Sequence, residues 1–155
     1  MILDAGAAQH GLESTVVDAT GEQIVLLRPG AITAEALEQV LGEAVLRAGE
    51  MSGRPLSPGQ LESHYAPSAQ MRLDASDARD GEALLAFGAS VPVTKGPMLN
   101  LSSSGDLVEA AANLFAYLRK LDESGAATIA VMPIPADGLG EAINDRLRRA
   151  AAPRG

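Results

Sequence analysis

The sequence predicts an α/β protein in two parts. Residues 1–48 form a β-hairpin and a helix left from one α/β domain, 49–69 are a linker, and 70–155 form a small α/β domain. Three observations carry this reading. Short apolar strands alternate with helix-period segments after residue 70. A Pro- and Gly-rich stretch with few aliphatics separates the parts. The two apolar strands ahead of it lack the neighbours that a buried sheet needs.

Residues 13–18 (Glu-Ser-Thr-Val-Val-Asp) and 24–28 (Ile-Val-Leu-Leu-Arg) are β-branched or aliphatic runs around a turn-like 19–23, and they read as a hairpin. A three-residue loop at 20–22 sets Ser14 opposite Arg28, and a one-residue slip brings Glu13 there instead. After Pro29-Gly30, Thr33 is placed to cap a helix with Ala36, Leu37, Val40 and Leu41 on one side, ending near Arg47 to Gly49. Gly53, Pro55, Pro58, Gly59 and Pro67 mark the connector as extended. Beyond it, 71–73, 83–87, 98–101 and 128–132 read as strands. Leu107, Ala111, Leu114, Leu118 and Leu121 trace one helix face, begun by a Ser103/Asp106 capping box. Leu139, Ile143, Leu147 and Ala150 trace a last helix, with Arg146, Arg148 and Arg149 suited to its negative end. The alternation implies some parallel pairing.

Composition narrows the function classes. The net charge of −8 is concentrated in residues 1–50, where eight acids face only Arg28 and Arg47. A chain that grips a nucleic-acid backbone presents a basic face, so direct nucleic-acid binding is disfavoured. The absence of cysteine excludes disulfides and thiolate metal sites. His10 and His64 lie far apart and the carboxylates are scattered, so no protein-held metal is expected. No apolar run reaches the ~18 residues of a membrane span, and the first residues lack signal-peptide features. A soluble, cytoplasmic protein without a membrane partner is the expectation.

Arg28 ends an apolar strand ahead of a fixed turn, where its planar fork suits a phosphate or carboxylate; a surface salt bridge is the alternative. Ser14 lacks a nucleophile-elbow context, and Ser14 and Thr15 otherwise read as strand residues with solvent-facing hydroxyls. The turns 102–105 and 138–140 resemble anion sites at helix starts, although ordinary capping explains both. His64-Tyr65 reads either as a ligand-facing clamp or as packing.

Taken together, several segments closely resemble the long form of the threonylcarbamoyl-AMP synthase family. They are Ile2-Leu3-Asp4-Ala5-Gly6, Gly11-Leu12-Glu13-Ser14-Thr15-Val16-Val17-Asp18, Leu27-Arg28-Pro29-Gly30-Ala31-Ile32-Thr33, Ser57-Pro58-Gly59 and His64-Tyr65-Ala66-Pro67. Gly138-Leu139-Gly140 with Ala142 to Leu147 looks like the end of the same family's second domain. The resemblance implies a YrdC-like catalytic domain, of which 1–48 is the C-terminal remnant, joined to a Rossmann-like C-terminal domain. It implies synthesis of threonylcarbamoyl-adenylate and pyrophosphate from threonine, bicarbonate and ATP with magnesium, for tRNA threonylcarbamoyladenosine modification. Carried over, Ser14 contacts threonine, Arg28 an ATP phosphate, and Tyr65 the nucleotide; no catalytic residue is assigned to this chain. Ala5 stands where a second glycine is usual, and Gln60-Leu61-Glu62-Ser63 replaces a more basic linker stretch. The family's Lys-x-Arg and Ser-x-Asn elements lie upstream of the stretch at which this chain starts. An inactive part that needs the rest of the YrdC-like domain, and holds no ATP or magnesium alone, is therefore expected. The alternative is a regulatory or interaction module, with tRNA-modification proteins or a second copy as partner.

Overall fold

In a computed structural model, which describes residues 11–48 and 67–152, the chain forms two sheets. The larger contains β4 (Gln70–Arg72), β5 (Ala83–Ala86), β6 (Met98–Asn100) and β7 (Thr128–Val131) in the order β4-β7-β5-β6, with every pairing parallel. All four residues of β5 are buried, as a central parallel strand covered on both faces requires. Helix α2 (Leu107–Asp122) carries the chain from β6 over β5 to β7, and α3 (Leu139–Ala151) follows β7. Leu114, Leu118 and Leu121 of α2 and Ile143 and Leu147 of α3 share one core with Leu85, Ile129 and Val131 of the sheet. This is the α/β arrangement with parallel pairing that the alternating pattern predicts, and it is consistent with the Rossmann-like domain that the resemblance implies. Among the described residues no helix is long and apolar enough to cross a membrane.

The smaller sheet has the order β1-β2-β3, from β1 (Val16–Asp18), β2 (Val25–Arg28) and β3 (Leu46–Arg47). β1 and β2 form the expected antiparallel hairpin, but in a different register: Val16 faces Arg28 and Val17 faces Leu26, with an irregularity between Val16 and Val17. The cause lies in the turn, where the Asp18 carboxylate accepts from Thr20 N at 2.9 Å and from Thr20 Oγ1 at 2.7 Å. That local turn lengthens the loop beyond three residues.

Helix α1 (Ala34–Leu41) starts where expected, with Thr33 Oγ1 accepting from Ala36 N at 3.2 Å. It stops earlier than expected because Gly42 adopts a left-handed φ of 76°, and its N–H donates to Glu38 O. The Glu38 carboxylate then accepts from Val45 N at 3.0 Å, steering the chain into β3, parallel to β2. The expected apolar side of α1 is also revised: Ala34 is buried and Leu37 packs inward, whereas Val40 is 86% exposed. The hairpin therefore has a third strand and a small core of its own, Leu26, Ala34 and Val45.

Candidate functional site

Ser14 and Arg28 meet at the open end of the hairpin, through the side chain of Arg28 and not through strand pairing. Arg28 Nε and Nη2 donate to the Ser14 carbonyl at 3.1 and 3.0 Å, and Nη2 also donates to Ser14 Oγ at 3.1 Å. Nη1 lies 3.2 Å from Glu13 Oε2, leaving the Arg28 side chain 12% exposed. The salt bridge foreseen as the alternative for Arg28 is thus present, and the fork clamps the backbone that carries Ser14. Gly30 makes this approach possible: a Cβ there would lie 2.4 Å from both Glu13 O and Thr15 N. Thr15 does not simply face solvent; its Oγ1 donates to Ile32 O at 2.7 Å and accepts from Ile32 N at 3.0 Å. These bonds tie the Ser14 segment to the start of α1.

The same end of the hairpin sits on α3. Glu13 Oε2, already bonded to Arg28, lies 3.1 Å from Arg146 Nη2, which also donates to Pro29 O at 3.3 Å. Arg146 pairs with Asp145, which in turn accepts from Arg149 Nε at 2.8 Å and Nη2 at 3.0 Å. Only 4% of Arg146 is exposed, and its Nε is buried without a partner. Burial therefore pulls its pKa below the ordinary arginine value, Asp145 and Glu13 oppose that shift, and the charge of Arg28 adds to it. Three guanidinium groups and two carboxylates thus form one cluster with a net single positive charge.

Further contacts align α3 with the smaller sheet. Arg47 Nε lies 3.4 Å from Glu141 Oε1, and the Glu35 carboxylate takes a hydrogen bond from the Gly138 N–H at the helix start. Glu35 is held below its ordinary pKa mainly by its own backbone N–H and by Thr33. Gly11, at φ +53°, lies against the α2 backbone, where a Cβ would be 2.3 Å from Ala111 O.

The sequence did not single out Glu13 or Arg146 as site residues. Arg146 was legible, however: it is three residues after Ile143 and four before Ala150, inside the apolar stripe of α3. An arginine in that phase faces the packed side. Reading all three arginines as dipole partners missed this, since Arg148 is exposed while Arg146 points into the interface.

In the two turns that resemble anion sites, several donors are taken up by the chain itself. Asp106, not Ser103, caps α2, accepting from Val108 N at 2.7 Å and Glu109 N at 3.3 Å. Ser102 is fully buried, accepts from Asp106 N at 3.0 Å and donates to Glu109 Oε2. Gly138 is served by Glu35 as above. Tyr65 and His64 lie outside the described residues, as do the segments 2–6 and 57–59. Among the described residues no group of three or more histidines or carboxylates is placed to hold a metal ion.

Comparison with known proteins points one way. The sequence family of the threonylcarbamoyl-AMP synthase C-terminal domain matches residues 32–152. The threonylcarbamoyl-AMP synthase of Pyrococcus abyssi is 34% identical over 168 residues, covering 99% of this chain and 49% of that protein. That of Bacillus subtilis is 33% identical over 169 residues, with the same two shares of 99% and 49%. The crystal structure of P. abyssi Sua5 complexed with L-threonine matches with a TM-score of 0.78 and 30% identity, over 96% of this chain and 48% of that one. A structure of P. abyssi Sua5 with an adjacent histidine and tyrosine changed to alanine matches with a TM-score of 0.72 and 29% identity, over 92% of this chain and 46% of that one. The chain thus spans about half the length of the curated relatives it matches.

Proposed function

The chain belongs to the threonylcarbamoyl-AMP synthase family, whose C-terminal domain it matches over residues 32–152, and we propose that it supplies one wall of that enzyme's substrate site. In this reading residues 1–48 complete a YrdC-like catalytic domain, 49–69 are the linker, and 70–155 are the Rossmann-like domain. The reaction is nucleotidyl transfer: threonine, bicarbonate and ATP give threonylcarbamoyl-AMP and pyrophosphate, for tRNA modification in the cytoplasm. The observation that carries the proposal is the contact of Ser14 Oγ with the Arg28 guanidinium at 3.1 Å, in a chain similar to a relative solved with L-threonine.

The chemistry of each group suits its role. Ser14 offers a small hydroxyl that can donate to a carboxylate or accept from an ammonium group, the two charged ends of threonine. Arg28 can exchange its carboxylate partner for a phosphate, because the planar fork binds either anion in the same geometry. Tyr65 is assigned to the nucleotide; the chain carries His64 and Tyr65 as neighbours, and one solved relative was altered at such a pair. Attack at the α-phosphate needs several donors to orient the triphosphate, and Arg28 supplies one of them. Beside Ser14, the Glu13 carboxylate is paired with Arg28 and Arg146, so this end of the hairpin does not fit a magnesium ion.

The test is an assay with ATP, threonine, bicarbonate and magnesium, with the adenylate resolved by chromatography. The chain alone is expected to form no threonylcarbamoyl-AMP and to support its formation when the rest of a YrdC-like domain is supplied. Pyrophosphate release by the chain alone, dependent on both threonine and bicarbonate, would contradict the reading. One observation favours a second role alongside the first: α3 grips the smaller sheet and its flanking residues through Glu13, Pro29 and Arg47, which suits a C-terminal domain that gates the catalytic one.

A further inference from the structure

Arg28 is fully engaged in this structure, since its Nη1 holds Glu13 and its other donors hold Ser14. An arginine in that state binds a phosphate only by giving up a partner. If Arg28 left Glu13, a carboxylate whose side chain is 29% exposed would lose one of its cations, and weakening the pairing of a partly desolvated charge is costly. The structure contains a second cation for this carboxylate. Arg146 Nη2 lies 3.1 Å from Glu13 Oε2, the very oxygen that Arg28 Nη1 approaches at 3.2 Å.

The surroundings of Arg146 fit such a duty and are poorly explained by stability alone. Replacing a buried ion pair by apolar packing is often neutral or stabilising, yet here a nearly buried guanidinium keeps an unpartnered Nε. It is anchored at two further points, Asp145 and Pro29 O, so it does not move when Arg28 does. Arg28 and Arg146 repel one another, and removing Arg28 to a phosphate relieves that repulsion.

We propose that Arg146 is a positioning residue for Arg28: it keeps Glu13 paired while Arg28 turns from the carboxylate to a nucleotide phosphate. The proposal rests on Arg28 being the phosphate contact. It makes α3 of the C-terminal domain a determinant of nucleotide affinity although Arg146 does not touch the nucleotide itself.

The test uses arginine side-chain NMR on this chain combined with the rest of a YrdC-like domain, with ATP as the probe. Arg146→Met is expected to weaken the ATP response of Arg28 about tenfold, the scale of one charged hydrogen bond lost to a carboxylate. Glu13→Gln added to Arg146→Met is expected to restore it, because the charge that needed pairing is gone; a merely structural role for Arg146 predicts no such rescue. A folded Arg146→Met chain with unchanged ATP affinity overturns the proposal, as does a double variant without rescue. Without nucleotide, Arg146→Met removes one of the two cations seen on Glu13 Oε2 and is expected to slow rotation of the Arg28 guanidinium, with Arg146→Lys intermediate. An absence of ATP response in the unaltered chain, with the rest of the YrdC-like domain present, removes Arg28 as the phosphate contact, and the rotation rates then still decide whether Glu13 is shared. Should Arg146→Met fail to fold, Glu13→Gln serves: it must alter the Arg28 and Arg146 signals together, and a change confined to Arg28 refutes the sharing.

Discussion

Gly30 is the residue on which the geometry around Ser14 depends most simply. It is buried, and the backbone of residues 13–15 passes so close that any side chain would collide with three backbone atoms within 2.6 Å. Backbone cannot yield as a flexible side chain can, so Gly30→Ala is expected to cost about 1–3 kcal/mol by overpacking. It should also push Ser14 away from Arg28. Thermal denaturation gives the first quantity, and the Arg28 Nε–H resonance reports the second; an unshifted resonance would show that the clamp does not need the close approach. At this scale the sequence was informative about type and less so about partners. Ser14 and Arg28 were readable as a hydroxyl beside an anion fork, and they do touch. The sharing of Glu13 with Arg146 was not readable, because it joins positions more than one hundred residues apart, and no local pattern specifies such a pair.

Helices and strands followed the local pattern wherever one face was buried, and departed from it where a side chain redirected the backbone. The central strand β5 and the helices α2 and α3 bury the apolar residues that the periodicity marked. The register of β1 on β2 failed because Asp18 bonds back to Thr20, and β3 was missed because two residues carry no periodicity. An ion pair near β4 gives this scale its own prediction. Glu82 is buried, and Arg72, donating from Nε at 3.0 Å, together with Arg79 N at 2.9 Å, holds it well below the usual carboxylate range, at about 2, against the opposing effect of burial. A carboxylate whose folded pKa is depressed stabilises the fold above its unfolded value and loses that contribution as pH falls through the folded one. Stability should therefore decline from about pH 4.5 toward pH 2, and Glu82→Gln should flatten that decline. Denaturant melts across this range provide the check, and an identical slope in the variant would show that Glu82 is not responsible.

Across the whole molecule, two sheets of unequal substance are joined by charge. The larger rests on a continuous core that includes Leu85, Leu114, Ile129 and Ile143; the smaller has Leu26, Ala34 and Val45, and its contacts with α3 are largely polar. Backbone amides of β5, β7 and α2 are thus expected to exchange with solvent far more slowly than those of 13–28. Exchange measured on a dilute sample, with sedimentation to establish a monomer, gives the comparison. Slow exchange throughout 13–28 would mean that the small sheet is as well anchored as the large one. The strands and helices of the larger sheet were legible from the alternation of apolar runs, whereas the docking of α3 on the smaller sheet was not, since it joins positions about one hundred residues apart.

We propose the hairpin mouth at Ser14 and Arg28, and not the helix-start turns of the larger sheet, as the substrate-facing end of this chain. The most direct test is an NMR titration, with threonine and with ATP, of the labelled chain combined with the rest of a YrdC-like domain. The account predicts threonine-dependent shifts at Ser14 and ATP-dependent shifts at Arg28 and Tyr65, with 98–106 and 138–142 unmoved. Shifts confined to 98–106 or 138–142, with Ser14 and Arg28 silent, would contradict it.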